Sequence, residues 1–438
     1  MRASLVTSIG VACTAALVLP LSPSGANAAP QVPQVTQHTG SAVPGSTQSL
    51  PLRTVGSDRS SAGATEQGVT RRDVSPFSLL GVVWDDADAE LHGTVQVRTR
   101  AAGSPLWSDW QDLETHNHEH GADLGTTERD SGHTRGSTAP LWVGGSDGVE
   151  LRVRAAEDGS GPTRAPLPQG LRLELIDPGE DPQDAPDDGA EPRNDSEPVP
   201  DTAISPQDSG DWAPPEDAPP TLARAGTPAA LPDSARSYAA PRPRIITRDG
   251  WGADEGLREK RLGYSRTVKA AFVHHSATGN NYSCKQAPSV LRSIYRYHVK
   301  SSGWRDFGYN FAVDKCGNIY EGRAGGVTRP VLGAHTLGFN TNSVGIAVLG
   351  TFSGTNPRAA ATTAVAKLAA WKLGLHGVDA RGKVTLTSAG SGKYGKGRKV
   401  RLNAISGHRD GFSTDCPGSR LYGKLGAVRK SAGGYQRR

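Results

Sequence analysis

The residues best suited to chemistry lie near the end of the chain, where His408 and Cys416 stand eight positions apart. Imidazole nitrogen and thiolate sulfur are the donors that zinc prefers. The residues between them, among them Gly411 and Ser413, favour a loop that could bring both side chains to one ion. Two ligands hold a metal weakly, so a third must come from elsewhere. The alternative is a core histidine beside a buried free cysteine, since both residue types are common in protein interiors.

The chain begins with the pattern of a secretory signal peptide over residues 1–28. Arg2 precedes an apolar run from Leu5 to Leu21, and Ala26-Asn27-Ala28 forms a cleavage site. We therefore expect a secreted protein. A membrane anchor is the alternative, but the apolar run is short and no basic flank follows it, so we expect no stable membrane anchor.

Export leaves three cysteines, because Cys13 lies within the signal peptide and is lost on processing. An odd number of cysteines in an oxidising compartment leaves one thiol to explain. Cys284 follows a predicted strand over 270–275, and Cys316 lies in the next predicted hairpin. A disulfide between those two is compatible with this order and would leave Cys416 free. Coordination to a metal would give that thiol a use.

Two adjacent histidines offer the third ligand. Residues 270–273 are apolar and predict a buried strand that ends in His274 and His275. Either one would complete a site of two histidines and a cysteine, which leaves the fourth tetrahedral position to water, as in catalytic zinc sites. The sequence has no H-E-x-x-H helix, so some residue other than the glutamate of zinc peptidases must handle protons.

The chain divides into segments of different composition. Residues 29–73 are polar and rich in Ser, Gly, Thr and Pro, which predicts a disordered leader. Residues 74–177 contain runs of alternating apolar and polar residues, which predict an all-β, sandwich-like domain. Residues 178–243 are acidic and rich in Pro and predict an extended, disordered linker. Residues 244–430 alternate strands with helices, which predicts an α/β domain whose central mixed sheet is flanked by helices.

The all-β segment contains a loop rich in histidine, with His116, His118, His120 and His133. Such a loop could bind a metal. Because neither a cysteine nor an ordered scaffold accompanies these histidines, we expect a solvated loop. The rest of this segment shows no residues that predict chemistry.

The charge of the chain is unevenly distributed. Residues 241–438 carry 33 Lys and Arg against 10 Asp and Glu, whereas the preceding residues carry 16 against 34. A domain this basic favours a polyanionic partner, either nucleic acid or an anionic cell-wall polymer. Export argues for wall polymers and against nucleic acid. A set of basic residues could bind such a polymer or simply form a solvated hairpin: Lys393, Lys396, Arg398, Lys399 and Arg401.

Several segments of the last domain together resemble the peptidoglycan recognition protein family, also called type 2 N-acetylmuramoyl-L-alanine amidases. They lie in order along the chain, and they are Arg248–Ala253, Phe272–Thr278, Gly303–Phe311, Ile319–Arg323, Gly333–His335, Asn342–Ile346 and Gly407–Gly418. This match covers less than half of the chain. The first domain and the linker resemble, more weakly, those of secreted actinobacterial members.

The resemblance implies a zinc site. Its ligands would be His274, His408 and Cys416, so the resemblance favours His274 over the neighbouring His275. The implied cofactor is Zn²⁺.

The resemblance also implies roles around the metal. Tyr309 falls on the catalytic tyrosine of the family, and Thr414 falls where members carry a residue near the metal. His335 falls on a further histidine of the active site, where it would contact substrate. We expect His275 and Arg323 to contact substrate as well.

The implied activity is hydrolysis of the amide between N-acetylmuramic acid and L-alanine in peptidoglycan, by a monomer associated with the cell wall. The main alternative is a protein that binds peptidoglycan without cutting it. Such members typically lose the zinc cysteine, and Cys416 is present here. A glycosidase is a third class, but it needs two carboxylates that flank the bond, and the last domain shows no such pair.

Overall fold

The structure, a computed structural model, describes residues 45–55, 66–115, 117–157, 166–180 and 238–436. The predicted signal peptide and most of the predicted linker lie outside the described residues. Among the residues that are described, no helix is both long enough and apolar enough to cross a membrane.

The first domain is an antiparallel β-structure. Its strands are β1 (Ser46–Pro51), β2 (Arg53–Thr54), β3 (Glu66–Arg71), β4 (Phe77–Trp84), β5 (Gly93–Ala101), β6 (Gln111–Leu113), β7 (Gly136–Ser137), β8 (Leu141–Ala155) and β9 (Arg172–Asp177). They join in the order β1-β9-β4-β8-β3-β2, with β5 beside β8, β6 beside β5, and β7 beside β4. The prediction of an all-β domain is confirmed.

The long strand β8 makes this sheet fold over on itself. Its first residues pair with β4, whereas its second half pairs with both β3 and β5. Apolar side chains at alternate positions of four strands therefore meet in one core, as in a sandwich. Members of that core are Leu80 and Val82 of β4, Val95 and Val97 of β5, Leu151 and Val153 of β8, and Leu173 and Leu175 of β9.

The predicted disordered leader over residues 29–73 is wrong where the structure forms strands, at Ser46–Pro51 and Glu66–Arg71. Ser46–Pro51 forms β1 against β9, and Glu66–Arg71 forms β3 against β8. Both are polar strands whose pairing depends on backbone hydrogen bonds to strands far along the chain, so their composition carries no signal for it. The domain therefore begins before residue 74.

The second domain contains a mixed five-stranded sheet. Its strands and helices are β10 (Ala270–His275), α1 (Ala287–Arg296), β11 (Phe311–Val313), β12 (Ile319–Glu321), β13 (Ser343–Val348), α2 (Ala359–Gly374), β14 (Lys383–Thr387), β15 (Lys399–Asn403), β16 (Ile405–Gly407), α3 (His408–Gly411), α4 (Ser419–Tyr422) and α5 (Leu425–Tyr435). The order β12-β11-β13-β10-β16 is parallel except for the β11–β12 hairpin, and β14 and β15 form a separate pair. The predicted α/β fold with a mixed sheet is confirmed.

Helices cover both faces of this sheet. Alternate residues of β10 and β13, such as Val273 and Ile346, pack with Leu368 of α2 and Val428 of α5. The opposite face, including Ala347, packs with α1. The last helix extends the domain beyond the predicted end at residue 430, because Gln436 donates hydrogen bonds to carbonyls of Ala370 and Val378.

A disulfide joins Cys284 and Cys316, and Cys416 is a buried free thiol. The Cys284–Cys316 pairing suggested by the order of the elements is therefore present. It ties the segment before α1 to the β11–β12 hairpin.

The two domains share a hydrophobic core and belong to one compact unit. Helix α1 and the turn that continues it lie against strands β4 and β9 of the first domain. The side chains that meet there include Leu79, Val83 and Ile176 from the first domain and Leu291, Ile294 and Tyr297 from the second. The Tyr297 hydroxyl, which is buried, lies 3.1 Å from the carbonyl oxygen of Thr138 in the first domain.

Candidate metal centre

Adjacent parallel strands bring the first two donors together. β10 and β16 pair side by side with Val273 opposite Gly407, so His274 and His408 follow at the same edge of the sheet. The loop after α3 returns Cys416 to this edge, where its Sγ lies 3.7 Å from Nδ1 of His274. All three side chains are buried.

His274 is held from behind by hydrogen bonds. Its Nε2 lies 3.3 Å from Nδ1 of His335 and 3.3 Å from Oγ1 of Thr336. The other ring nitrogen is the one that faces the thiol. A metal-binding histidine usually has its second nitrogen fixed in this way, because the bond sets the orientation of the ring.

A fourth donor comes from the first domain. His120, in the loop between β6 and β7, lies with its ring centroid 4.5 Å from that of His408. The ligand atoms of His120, His274, His408 and Cys416 all lie within 4.8 Å of one another. The predicted solvated loop is therefore wrong for His120, which is only 7% exposed. His133 is exposed as expected, and His116 lies outside the described residues.

The donor set fits a zinc ion. Both ring nitrogens of His120 are buried without a hydrogen-bond partner among the described residues. Buried polar atoms nearly always have a hydrogen-bond partner, so unpaired buried imidazole nitrogens beside a thiol indicate a site that can hold a cation. Three nitrogens and one sulfur are donors of the kinds that zinc takes in four-coordinate sites.

Burial keeps the imidazoles in the form that binds a metal. Burial lowers the pKa of His120 to about 3 and the pKa values of His274 and His408 well below the ordinary value. All three rings are therefore neutral at physiological pH, with a lone pair available for coordination. Burial also raises the pKa of the Cys416 thiol well above its ordinary value. A nearby cation would oppose that shift, since metals favour the thiolate.

Tyr309 lies beside the donors, just before β11. Its ring centroid is 5.2 Å from that of His274 and 5.8 Å from that of His120. Burial, followed by the charges of Cys416 and Glu119, raises the pKa of Tyr309 well above its ordinary value. The phenol therefore stays protonated at physiological pH and can donate a hydrogen bond.

Thr414 makes two hydrogen bonds at the rim of the site. Its hydroxyl donates to Oε1 of Glu119 over 2.7 Å and accepts from the backbone N–H of Cys416 over 3.1 Å. The second bond holds the Cys416 loop, and the first joins it to the loop of the first domain.

The predicted substrate residues occupy different places. His275 lines the cleft beside Cys416, and burial followed by the charge of Arg409 lowers its pKa to about 4. His335 is fully buried behind His274. Arg323 is paired with Glu128 of the first domain through two hydrogen bonds of 2.7 and 2.9 Å. The substrate contacts of all three stay predictions.

The described residues of the loop between β6 and β7, which are 114, 115 and 117–135, fill the cleft above the donors; we call them the cleft loop. The space that stays open to water beneath the loop is about 20 Å³. A volume of this size holds about one water molecule. Sequence reasoning missed this role, although the clustered histidines of the loop were a signal.

The second domain is similar to known proteins. The profile of the family described as N-acetylmuramoyl-L-alanine amidase matches residues 264–419. Peptidoglycan-recognition protein SC2 of Drosophila melanogaster is 34% identical over 182 residues, which are 41% of this chain and 84% of that protein. This chain belongs to the peptidoglycan recognition protein family. The predicted family is confirmed, and with it a function related to peptidoglycan.

Other relatives match the same domain. The human N-acetylmuramoyl-L-alanine amidase is 33% identical over 186 residues, 42% of this chain and 28% of that protein. The solved structure of Drosophila PGRP-LB is 26% identical, with 42% of this chain and 93% of that chain covered and a TM-score of 0.34. Residues 31–190 match a different family, described as Rv3811 N-terminal galactose-binding domain-like.

Proposed function

We propose that the protein is a zinc-dependent hydrolase that cleaves the amide between N-acetylmuramic acid and L-alanine in peptidoglycan. The observation that carries this proposal is the convergence of His274, His408 and Cys416 with orphaned imidazole nitrogens. A protein that only binds peptidoglycan does not need a buried thiol among neutral imidazoles. The family match supports the substrate class.

His274, His408 and Cys416 would hold the ion. When bound, zinc supplies a Lewis acid that polarises a carbonyl oxygen and lowers the pKa of water. The role of the protein residues is to keep that ion in a dry cleft with neutral nitrogen donors on one side. His335 and Thr336 fix the ring of His274 so that the nitrogen facing Cys416 stays free for coordination.

Tyr309 is the residue placed to act on the reacting amide. Its phenol, kept protonated by burial, would donate a hydrogen bond to the oxygen that becomes negative when water adds to the carbonyl carbon. The C–N bond then breaks: the oxygen of the water stays on the lactyl carbon, which becomes a carboxylate, and the nitrogen leaves with a proton from that water as the free amine of L-alanine. Thr414 would hold the loop of Cys416 during this step and add a second hydroxyl at the rim.

The remaining proposals concern place and partners. The signal-peptide pattern over residues 1–28 supports export. The basic second domain supports association with the cell wall and its anionic polymers. The side chains of Lys393, Lys396 and Arg398 are exposed in the turn between β14 and β15, where a polymer could reach them.

The test is to digest purified peptidoglycan with the zinc-loaded chain and to quantify new amino termini of L-alanine. The ring of His120 lies beside the three proposed ligands, where it can block access to the ion. The assay is therefore run with the unsubstituted chain and with His120→Ala. Amino termini that appear with either form and disappear with Cys416→Ser or a chelator support the proposal. New reducing sugar ends would show a glycosidase, and peptidoglycan binding without new ends would show a sensor.

A further inference from the structure

We propose that His120 is a fourth ligand of the metal and that the cleft loop thereby keeps the amidase cleft closed to substrate. This inference rests on the proposed function, because it assigns a state of the same site. Catalytic zinc sites have three protein ligands and one open position, whereas sites with four protein ligands are closed. Full coordination by His120, His274, His408 and Cys416 would leave no position for water or for an amide carbonyl.

The position of His120 supports ligation. Its ring lies over the cluster, with centroid distances of 4.5 Å to His408, 5.5 Å to His274 and 5.8 Å to Tyr309. Neither ring nitrogen has a hydrogen-bond partner among the described residues. Burying two unpaired nitrogens costs free energy, so a histidine with no ligand at this position would destabilise the fold. A metal ion accounts for the burial.

The carboxylates of the same loop engage groups around the cleft. Glu119 accepts the hydrogen bond of the Thr414 hydroxyl. Glu128 pairs with Arg323, which we expect to contact substrate. The loop therefore occupies the metal position, the rim hydroxyl and the guanidinium together, and substrate cannot reach these groups while the loop is in place.

Further polar contacts anchor the loop to the second domain. Oδ1 of Asp123 accepts hydrogen bonds from the Asn340 side chain and from the backbone N–H of Gly338, both over 2.7 Å. The backbone N–H of Leu337 donates to the carbonyl oxygen of Glu119 over 2.9 Å. Leu337, Gly338 and Asn340 lie on the same segment as His335. The loop therefore contacts the segment that positions the metal ligand His274.

The contacts of the loop differ in kind from those of the rest of the interface. The loop contacts named here are hydrogen bonds, an ion pair and the metal cluster, whereas β4, β9 and α1 meet through a shared apolar core. Arg323 and Thr414 can exchange the carboxylates of the loop for an anionic ligand. The apolar side chains between the domains would instead be exposed to water on separation, which costs free energy. We infer that opening moves the cleft loop while the two domains stay docked.

The experiment substitutes cobalt for zinc in the full-length chain and follows the visible absorption bands as azide is added. Azide binds only where the ion has an open position. We expect the bands of the unsubstituted chain to be unaffected and those of His120→Ala to shift. The matched control is His133→Ala, an exposed histidine of the same loop, which should behave as the unsubstituted chain. Equal responses of the unsubstituted chain and His120→Ala would overturn the proposal.

A second variant covers the case in which His120→Ala fails to bind metal. Glu128→Ala removes an anchor of the loop and leaves every metal donor in place. We expect azide to reach the cobalt ion in this variant and cleavage of peptidoglycan to rise. If the open form is a minor state of about 0.1–10%, the rise is about 10-fold to 1000-fold. No change in either measurement would count against closure by the loop.

The two proposals fail in different ways. If the cobalt spectra show His120 as a ligand but neither opened variant releases amino termini of L-alanine, ligation by His120 stands and the amidase function is wrong. If the unsubstituted chain cleaves as fast as both variants and responds equally to azide, the amidase function stands and closure is wrong.

Discussion

His274 shows how single residues determine this site. One ring nitrogen faces the Cys416 thiol, and the other is held by His335 and Thr336. His335 is fully buried. Its Nδ1 lies beside Nε2 of His274 and beside the hydroxyl of Thr336. In the present form His335 is therefore a positioning residue for a metal ligand.

Replacing His335 should weaken metal binding without touching a ligand atom. In His335→Ala, His274 loses one of the two partners that fix its ring, and loss of such a partner typically lowers metal affinity by about 10-fold to 100-fold. The measurement is competition for zinc with a chelator. The control is His376→Ala, a partly buried histidine near Thr267 and outside the cluster. An unchanged zinc affinity in His335→Ala would argue against the positioning role.

Replacing Tyr309 should slow the reaction and leave the metal in place. Removing one donor to a developing oxyanion costs about 2.7–4 kcal/mol of barrier, so Tyr309→Phe should lower kcat by about 10²–10³-fold. The comparison is made in the His120→Ala background, with zinc content measured alongside. Tyr320→Phe is the control, because its buried hydroxyl bonds Asp314 instead. A full rate in Tyr309→Phe would remove this residue from the mechanism.

At the scale of elements, the cleft loop depends on the buried ion pair of Glu128 and Arg323. Burial alone would raise the pKa of Glu128, but the charge and hydrogen bonds of Arg323 outweigh it, and the net pKa is lowered. The pair therefore contributes stability that is complete above the ordinary glutamate pKa near 4.5. That contribution is lost as the pH falls through the lower pKa of the folded state.

Glu128→Gln should show this dependence. It leaves the Arg323 guanidinium buried without its carboxylate, and breaking a buried pair costs about 3–5 kcal/mol. We expect that difference in free energy of unfolding between the two proteins at pH 7, and we expect it to shrink as the pH falls below about 4.5. Urea denaturation of both metal-free proteins at each pH is the measurement. A difference that stays constant across the acid range would contradict the assignment.

At the scale of the whole molecule, the two domains are joined by apolar packing. Ile176 of the first domain lies in one cluster with Leu291 and Ile294 of α1. A large apolar interface couples the stability of the domains it joins, unlike the polar contacts of independent domains. The first domain is in this sense part of the folding unit of the second.

The two domains should therefore unfold together. Ile176→Ala removes a buried side chain from the shared cluster and should cost about 2–5 kcal/mol. Calorimetry should show one transition, moved to lower temperature. Val97→Ala, in the core of the first domain itself, should move the same transition. Two transitions, of which only one responds to Val97→Ala, would show that the domains unfold separately.

Much of this architecture is determined by local sequence. The apolar run before His274 predicts a buried strand, the alternation at 149–154 predicts part of β8, and both are present. The strands of the supposed leader escaped prediction. Polar strands such as β1 pair through backbone hydrogen bonds. The identity of their side chains contributes little to that pairing, so the sequence carries little signal for it.

The donors of the second domain were also readable from sequence, because residue type and family resemblance pointed to His274, His408 and Cys416. What only the tertiary structure decided is the fourth donor. His120 lies in another domain, and nothing in its own loop distinguishes it from His118 or His133. Its role depends on the docking of α1 against β4 and β9, which buries the loop in the cleft. The sequence thus determined the three donors of the second domain, and the packing of the two domains brought His120 to them.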